Sequence, residues 1–469
     1  MHVDRASLAD LDVLEQGLES SALVALLDHT WSQGGRTKLR EMVRNPLSTI
    51  DGIRSRQVAL QRIAGLSPSI PPSRDLGAVL ARVERYLAST YIELPSSRAG
   101  LWLVRRRYPE VVGSLVEGIE ATQQLLRLAA ALTDSLRSAT HEQTELQEIE
   151  WRVRACLDAE QFRRLSSVRP RAPGDIRLGV FDESVRLQGR ALLQSLLDAV
   201  HEFDALQSLA RASSREGFSY PQVVEASAPF LDAEGVFHPA LRDPVRNDLA
   251  VGAEARLVFL TGPNMAGKST LLRACGLLVL MAHLGMAVPA ARARLSRFDR
   301  LCVMLTTRDS LQRGESFFLA EVRRVGELVD YLQQQQRVFA VVDELFKGTN
   351  VLDAYDATEL VVSCLARCPT SVFIVASHLA ELARVLDRVG SVSLLRMEAA
   401  VTGGVPHFSF IVGPGVSEQR LGMVLLEQTG VARALRAIVD GNGVGPSPSE
   451  AAPRATRSPT SSQDRGQSE

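Results

Sequence analysis

The chain has 469 residues, long enough for two to four domains with their own cores, and its composition of 45% hydrophobic and 23% charged residues is that of a soluble globular protein. A formal net charge of -1 excludes an overall basic attraction to nucleic acid or to an anionic membrane, so any such contact must come from a local patch. The five cysteines (Cys156, Cys275, Cys302, Cys364, Cys368) are scattered, and none sits in a zinc-type set, so free thiols in a reducing compartment are expected.

The N-terminal MHVDRASLAD lacks the apolar core of a signal peptide. The longest apolar stretch, 271–291, is broken by Arg273 and His283, which argues against a membrane span. A cytoplasmic protein with no membrane partner is the expectation.

Residues 1–215 read as helix. Leu115, Ile119, Leu125, Leu128, Leu132 and Leu136 recur at helical spacing, as do Leu192, Leu193, Leu196, Leu197, Val200, Phe203, Leu206 and Leu209. The Pro- and Arg-rich VRPRAPGDIR between these runs predicts the tip of an antiparallel helical arm near 165–180. From about 216 to 440, short apolar runs alternate with helical segments. RLVFLT (256–261), RLCVMLT (300–306), VFAVVD (338–343), SVFIVAS (371–377) and SVSLLR (391–396) read as buried strands. The fold class expected is therefore all-α followed by α/β with a mainly parallel sheet. Residues 441–469 are Pro, Ser, Gly and charge, and are read as a disordered tail.

One stretch carries chemistry openly. TGPNMAGKST (261–270) fits the phosphate-loop pattern between a strand and an apolar helix. Gly262 and Gly267 let backbone N–H groups turn inward, and Pro263, Asn264, Met265, Ala266 and Thr270 complete the loop. The helix N-terminus adds partial positive charge. Lys268 is the candidate to bridge β- and γ-phosphates of ATP, and Ser269 to hold Mg²⁺. Asp343, ending the strand VFAVVD, is the second Mg²⁺ candidate, and Glu344 the group to polarise the attacking water. His378, ending SVFIVAS, is placed to hydrogen-bond the γ-phosphate. Loop, Asp-Glu and strand–Ser–His follow the order used by ATP-binding-cassette ATPases.

TGPNMAGKST, VVDELFKGTN and ASHLAEL together resemble the ATPase domain of the MutS DNA mismatch repair family. His238-Pro239 and Asn247-Asp248 are similar to the lead-in to that family's phosphate loop, and RDSLQRGESFFLAEVRRV to its version of the cassette signature. The resemblance implies that Gly314 and Ser316 cap the partner's γ-phosphate in trans, that Gly348-Thr349-Asn350 line the interface, and that a homodimer completes each site. LDHTWSQGGRTKLREMVRNPL (27–47) and DALQSLARASSREGFSYPQV (204–223) look like the two ends of the family's helical core, so the helical half is expected to be the core and lever domain.

The departures bear on the partner. The mismatch-recognition and connector domains that relatives carry before this core are expected to be missing, and the clamp domain to be reduced to about 25 residues. Phe181-Asp182-Glu183 matches the family's mismatch-wedging letters in the wrong place. Val245 stands near the position where relatives place an aromatic residue against adenine, and Lys347 where Arg is common. DNA backbone contacts are expected from Arg163, Arg164, Arg169 and Arg171 at the arm tip, with Arg105-Arg106-Arg107 beside Trp102 and Tyr108 as a second patch. The function expected is an ATP-dependent, dimeric, DNA-binding protein that opens and closes helical arms, with direct mismatch reading in doubt and other repair proteins as further partners. The alternative is a nucleotide-switched protein-interaction module that no longer binds DNA.

Overall fold

The computed structural model describes residues 1–13, 22–66, 74–89, 98–137, 145–167, 177–305, 317–402, 405–419 and 422–439. Gly314, Ser316, Arg169, Arg171, the side chain of Arg164 and the tail 441–469 lie outside the described residues. The chain divides into two units, one of Met1–Ala22, Ser219–Met281 and Val288–Glu469, the other of Leu23–Phe218 and Ala282–Ala287.

The sheet unit begins with β1 (His2–Val3) and α1 (Arg5–Asp10). The helical unit holds α2 (Ala22–Leu27), α3 (Gln33–Arg44), α4 (Ile50–Gly65), α5 (Arg74–Ala88), α6 (Arg98–Arg107) and α7 (Pro109–Arg137). It continues with α8 (Glu145–Asp158), α9 (Glu160–Ser167), α10 (Arg177–Asp182), a π-helical turn over Glu183–Gln188, and α11 (Arg190–Ser213).

The apolar periodicity places the core faces of α7 and α11. Leu115, Ile119, Leu125, Leu132 and Leu136 are buried on the first, and Leu193, Leu196, Val200, Phe203, Leu206 and Leu209 on the second. VRPRAPGDIR does not join these two helices directly, because α8 and α9 come between. Leu146, Ile149, Val153 and Cys156 of α8 are buried at the same helical spacing.

α3 starts at Ser32, whose hydroxyl accepts the Gly35 N–H at 2.9 Å. Asp204 of α11 holds that cap in place: it accepts the Ser32 hydroxyl at 2.6 Å and the amides of Ser32 and Trp31 at 2.9 and 3.1 Å. Asp182 is likewise structural. It accepts the Tyr86 hydroxyl at 2.7 Å and pairs with Arg186 at 2.6 Å, all three buried, which fits the reading of Phe181-Asp182-Glu183 as a chance match.

In the sheet unit the remaining strands are β2 (Gln222–Val224), β3 (Leu231–Val236), β4 (Asn247–Val251), β5 (Leu257–Thr261), β6 (Arg292–Ser296) and β7 (Arg300–Met304). After them come β8 (Val338–Asp343), β9 (Val372–Ser377), β10 (Val392–Thr402) and β11 (Val405–Pro414). Its helices are α12 (Lys268–His283, whose last two residues count with the helical unit), α13 (Phe317–Gln333), α14 (Val351–Leu365), α15 (Ala383–Leu386), α16 (Gly422–Gln428) and α17 (Val431–Val439). The main sheet has the order β1-β7-β8-β9-β5-β10-β11, parallel throughout except for the antiparallel β10–β11 edge. This is α/β architecture. β5, β7, β8, β9 and β10 are the five strands that the apolar runs predict, and the central β5 and β9 are buried at every position.

Two features differ from expectation. Residues 1–13 belong to the sheet unit and not to the helical half, since β1 pairs with β7 in the registers His2 with Arg300 and Val3 with Leu301. A second, four-stranded sheet, β2-β6-β3-β4, adjoins the main one in sequence and carries alternating patterns such as NDLAV in β4, too short and polar to stand out as apolar runs.

Candidate functional site

The parallel strands β8, β9 and β5 are neighbours, and their C-terminal ends bring Asp343, Ser377 and Thr261 side by side in the registers Asp343 with Ala376 and Thr261 with Ser377. In an open α/β sheet ligands bind at this edge. The 262–267 loop leaves β5 and delivers Lys268 into the first turn of α12.

The loop needs its glycines. Gly262 has φ 153°, and a Cβ there would come within 2.4 Å of the Met397 carbonyl oxygen. Gly267 has φ 101°, and its Cβ would meet the Phe410 ring at 3.1 Å. Met265 adopts a left-handed φ of 70° with its side chain exposed, Ala266 is buried, and Asn264, Ser269 and Thr270 face solvent.

The polar groups converge. Lys268 is buried, and its ammonium donates to the carbonyls of Gly262 at 2.6 Å and Pro263 at 3.2 Å. Desolvation lowers its pKa, against the pull of Glu344 and Asp343. The Ser269 hydroxyl donates to Asp343, whose own pKa is raised by burial. Glu344 is the most tightly held acid. Lys347 lies 3.1 Å from its carboxylate, and the His378 ring nitrogen lies 3.7 Å away, beyond ordinary hydrogen-bond range. His378 and then Lys347 push the Glu344 pKa down to about 2, and Glu344 in turn raises that of His378. The Glu344 amide donates to the Ala376 carbonyl at 2.9 Å. Glu344 and Phe346 both have left-handed backbone, φ 52° and 62°. Such conformations cost roughly 1–3 kcal/mol each in a residue with a Cβ and persist only where the surroundings enforce them.

Two cavities meet at this centre. One of about 470 Å³ runs from Pro263, Asn264 and Glu344 between Phe237, His238, Val245 and Phe410. The other, about 960 Å³, opens from the same three residues toward Val351, Leu352, Tyr355 and His378. Phe410 and Met397 were not legible as site residues in the sequence. Phe410 sits in β11 at φ 58°, where the side chain of buried Asn247 donates to its carbonyl at 3.0 Å and accepts the Val412 amide at 2.8 Å. No spacing in HFSFIV signals that kink; it comes from the pairing with β10, whose register shifts between Met397 and Ala399.

Residues 258–438 match the family model of MutS domain V. Over that segment the chain is similar to the ATPase domain of MutS proteins. The matched segment includes the whole loop from Gly262 to Thr270, Asp343, Glu344 and His378.

Of the arginines expected to contact DNA, Arg163 turns its guanidinium onto the Asp158 carbonyl at 2.7 and 2.9 Å. Arg152 and Arg154, nearby in sequence, pair with Glu202 and, at 2.5 Å, with Glu150. In the second patch Arg106 stacks over Trp102 and Arg107 over Tyr108, all exposed. The five cysteines are free, with Cys156, Cys275 and Cys302 buried. Among the described residues no helix is long and apolar enough to cross a membrane.

Proposed function

We propose that this chain is a dimeric ATPase of the MutS type that binds and hydrolyses ATP with Mg²⁺. The observation that carries the reading is the convergence of a buried Lys268, the Ser269–Asp343 pair and a charged Glu344 at the ends of three adjacent parallel strands.

The donor set suits a hard cation. The Ser269 hydroxyl and the Asp343 carboxylate already touch at the start of α12, which makes them the two protein oxygens that would hold Mg²⁺. When bound, the cation would neutralise charge on the transferred phosphoryl group. Lys268 now caps two carbonyls of its own loop, so nucleotide binding requires its ammonium to exchange them for phosphate oxygens. The loop amides and the α12 N-terminus receive the remaining phosphate charge. Glu344 remains a carboxylate throughout the physiological range and can accept a hydrogen bond from the attacking water, with His378 beside it to contact the γ-phosphate. The nucleoside would lie in the cavity of Phe237, Val245 and Phe410. Phe410 there supplies the aromatic surface that position 245 lacks.

A second copy fits the open side. Val351 and Leu352, 75% and 77% exposed, stand on the rim of the larger cavity immediately after Gly348-Thr349-Asn350. The exposed apolar residues Leu435, Ile438 and Val439 of α17 also await cover. Gly314 and Ser316 of the partner are the groups proposed to reach the γ-phosphate, and arm movement on DNA is the output proposed for the cycle. The pairing of Arg152, Arg154 and Arg163 within the chain favours a second reading, in which the helical unit engages a protein partner and DNA contacts are few.

The test is binding of labelled duplex, mismatched duplex and four-way junction DNA with no nucleotide, ADP and ATP, at two salt concentrations. Nucleotide-dependent binding that weakens with salt supports the DNA reading. ATP hydrolysis without binding to any of the three supports the protein-partner reading.

A further inference from the structure

Glu344 stands in a turn that its own backbone disfavours. Both Glu344 and Phe346 are left-handed, and neither is glycine. The turn must therefore be held by its packing against the surroundings.

The ring of Phe346 makes that packing. It is 3% exposed and belongs to the apolar core with Leu328, Val342 and Leu345. Its contact with α13 is specific: the rings of Phe318 and Phe346 lie 5.6 Å apart at 53°, within the range of favourable tilted pairs. Phe318 is in the first turn of α13. α13 is itself anchored, because Arg324 donates to the Val303 carbonyl at 2.5 Å and reaches the buried Asp10 at 3.4 Å. An unbroken series of contacts runs from α1 and β7, through Arg324 and Phe318, to Phe346 and the Glu344 turn.

We infer that Phe346 is a positioning residue that couples α13 to Glu344, so that the place of α13 sets the place of the catalytic carboxylate. This rests on the hydrolytic role proposed for Glu344. A shift of Phe318 away from Phe346 removes what enforces two left-handed residues, and the turn relaxes toward ordinary backbone. Glu344 then leaves the position set by its amide bond to Ala376 and by Lys347. The phosphate-holding residues 262–270 are on a different strand-to-helix connection and keep their geometry. Nucleotide affinity and turnover therefore respond differently, which a general loss of stability would not produce.

The test uses the full chain with Phe318→Ala, Phe318→Leu and Phe346→Gly. Phe318→Ala removes the ring partner without touching the turn, Phe318→Leu restores apolar bulk, and Phe346→Gly removes the ring while making left-handed backbone easy. ATP affinity, kcat and amide exchange are measured for each. In Phe318→Ala we expect affinity within about twofold of the parent and kcat lower by roughly tenfold to a hundredfold, the size expected from misplacing a reacting group by about 1 Å. Exchange at residues 343–348 should rise while residues 372–377 stay protected. Phe318→Leu should recover most of both. Phe346→Gly should lose kcat even though its backbone is relieved.

Unchanged kcat and unchanged exchange in Phe318→Ala overturn the coupling, as does an equal fall in affinity and kcat with exchange rising across the whole sheet. If the parent chain binds ATP without turning it over, the hydrolytic reading fails instead. The exchange of residues 343–348 then decides the coupling alone: a rise confined to that turn supports it, and no change overturns it.

Discussion

Removing the charge of Asp204 should flatten part of the pH dependence of stability. Asp204 is fully buried under the α3 cap, and desolvation raises its pKa from 3.8 to about 6 despite the hydrogen bonds from Ser32 and Trp31. Because the folded value is the higher one, the folded state binds the proton more tightly than the unfolded chain. The stabilisation from protonated Asp204 is fully present below pH 3.8 and is lost as pH rises through about 6. At 1.36 kcal/mol per pKa unit the difference amounts to about 3 kcal/mol. Asp204→Asn keeps the shape and cannot ionise. It is less stable than the parent in acid, where it leaves a Ser32 donor unpaired, and the gap should narrow by roughly 2–3 kcal/mol between pH 4 and pH 7.5. Urea melts followed by circular dichroism at several pH values would measure it. A gap that is constant with pH, or that widens toward neutrality, would refute the assignment of burial as the dominant influence on Asp204.

Other sites give sharper functional readouts. Lys268→Ala should abolish ATP binding while the melting temperature stays near the parent's, since its hydrogen bonds are only to its own loop. Asn247→Ala should cost about 2–4 kcal/mol by stranding the Phe410 carbonyl and the Val412 amide, and should weaken ADP binding as Phe410 leaves the cavity, both measurable by melts with and without ADP. Asp10→Ala should cost about 1–3 kcal/mol by leaving the Leu305 amide without its acceptor, and thermal melts would detect it.

The strands that form the site were legible because a strand buried on both faces reads as an unbroken apolar run, and β5, β8 and β9 do so. Asp343, Glu344 and His378 stood out in the sequence because each follows such a run, and Lys268 and Ser269 because of the phosphate-loop spacing between a strand and a helix. Phe410 was not, because its place over Gly267 depends on a strand kink held by Asn247, 163 residues away in sequence. Lys347 was read only as a departure from Arg, yet it is the nearest cation to Glu344. The first residues of the chain read as helix because β1 is two residues long and its pairing with β7 has no periodic signal. The arm-tip arginines show the converse: Arg163 turns its guanidinium onto the Asp158 carbonyl, a local bond that no charge pattern in the sequence announces.

The most direct test of the central claim is ATP turnover and ATP affinity of the parent chain beside Glu344→Gln, at neutral pH with Mg²⁺. If Glu344 polarises the water, the parent hydrolyses ATP, and Glu344→Gln binds it as tightly while turning it over about a hundredfold to ten-thousandfold more slowly. Equal turnover in the two proteins would contradict the role assigned to Glu344, and failure of the parent to bind ATP would contradict the proposed function as a whole.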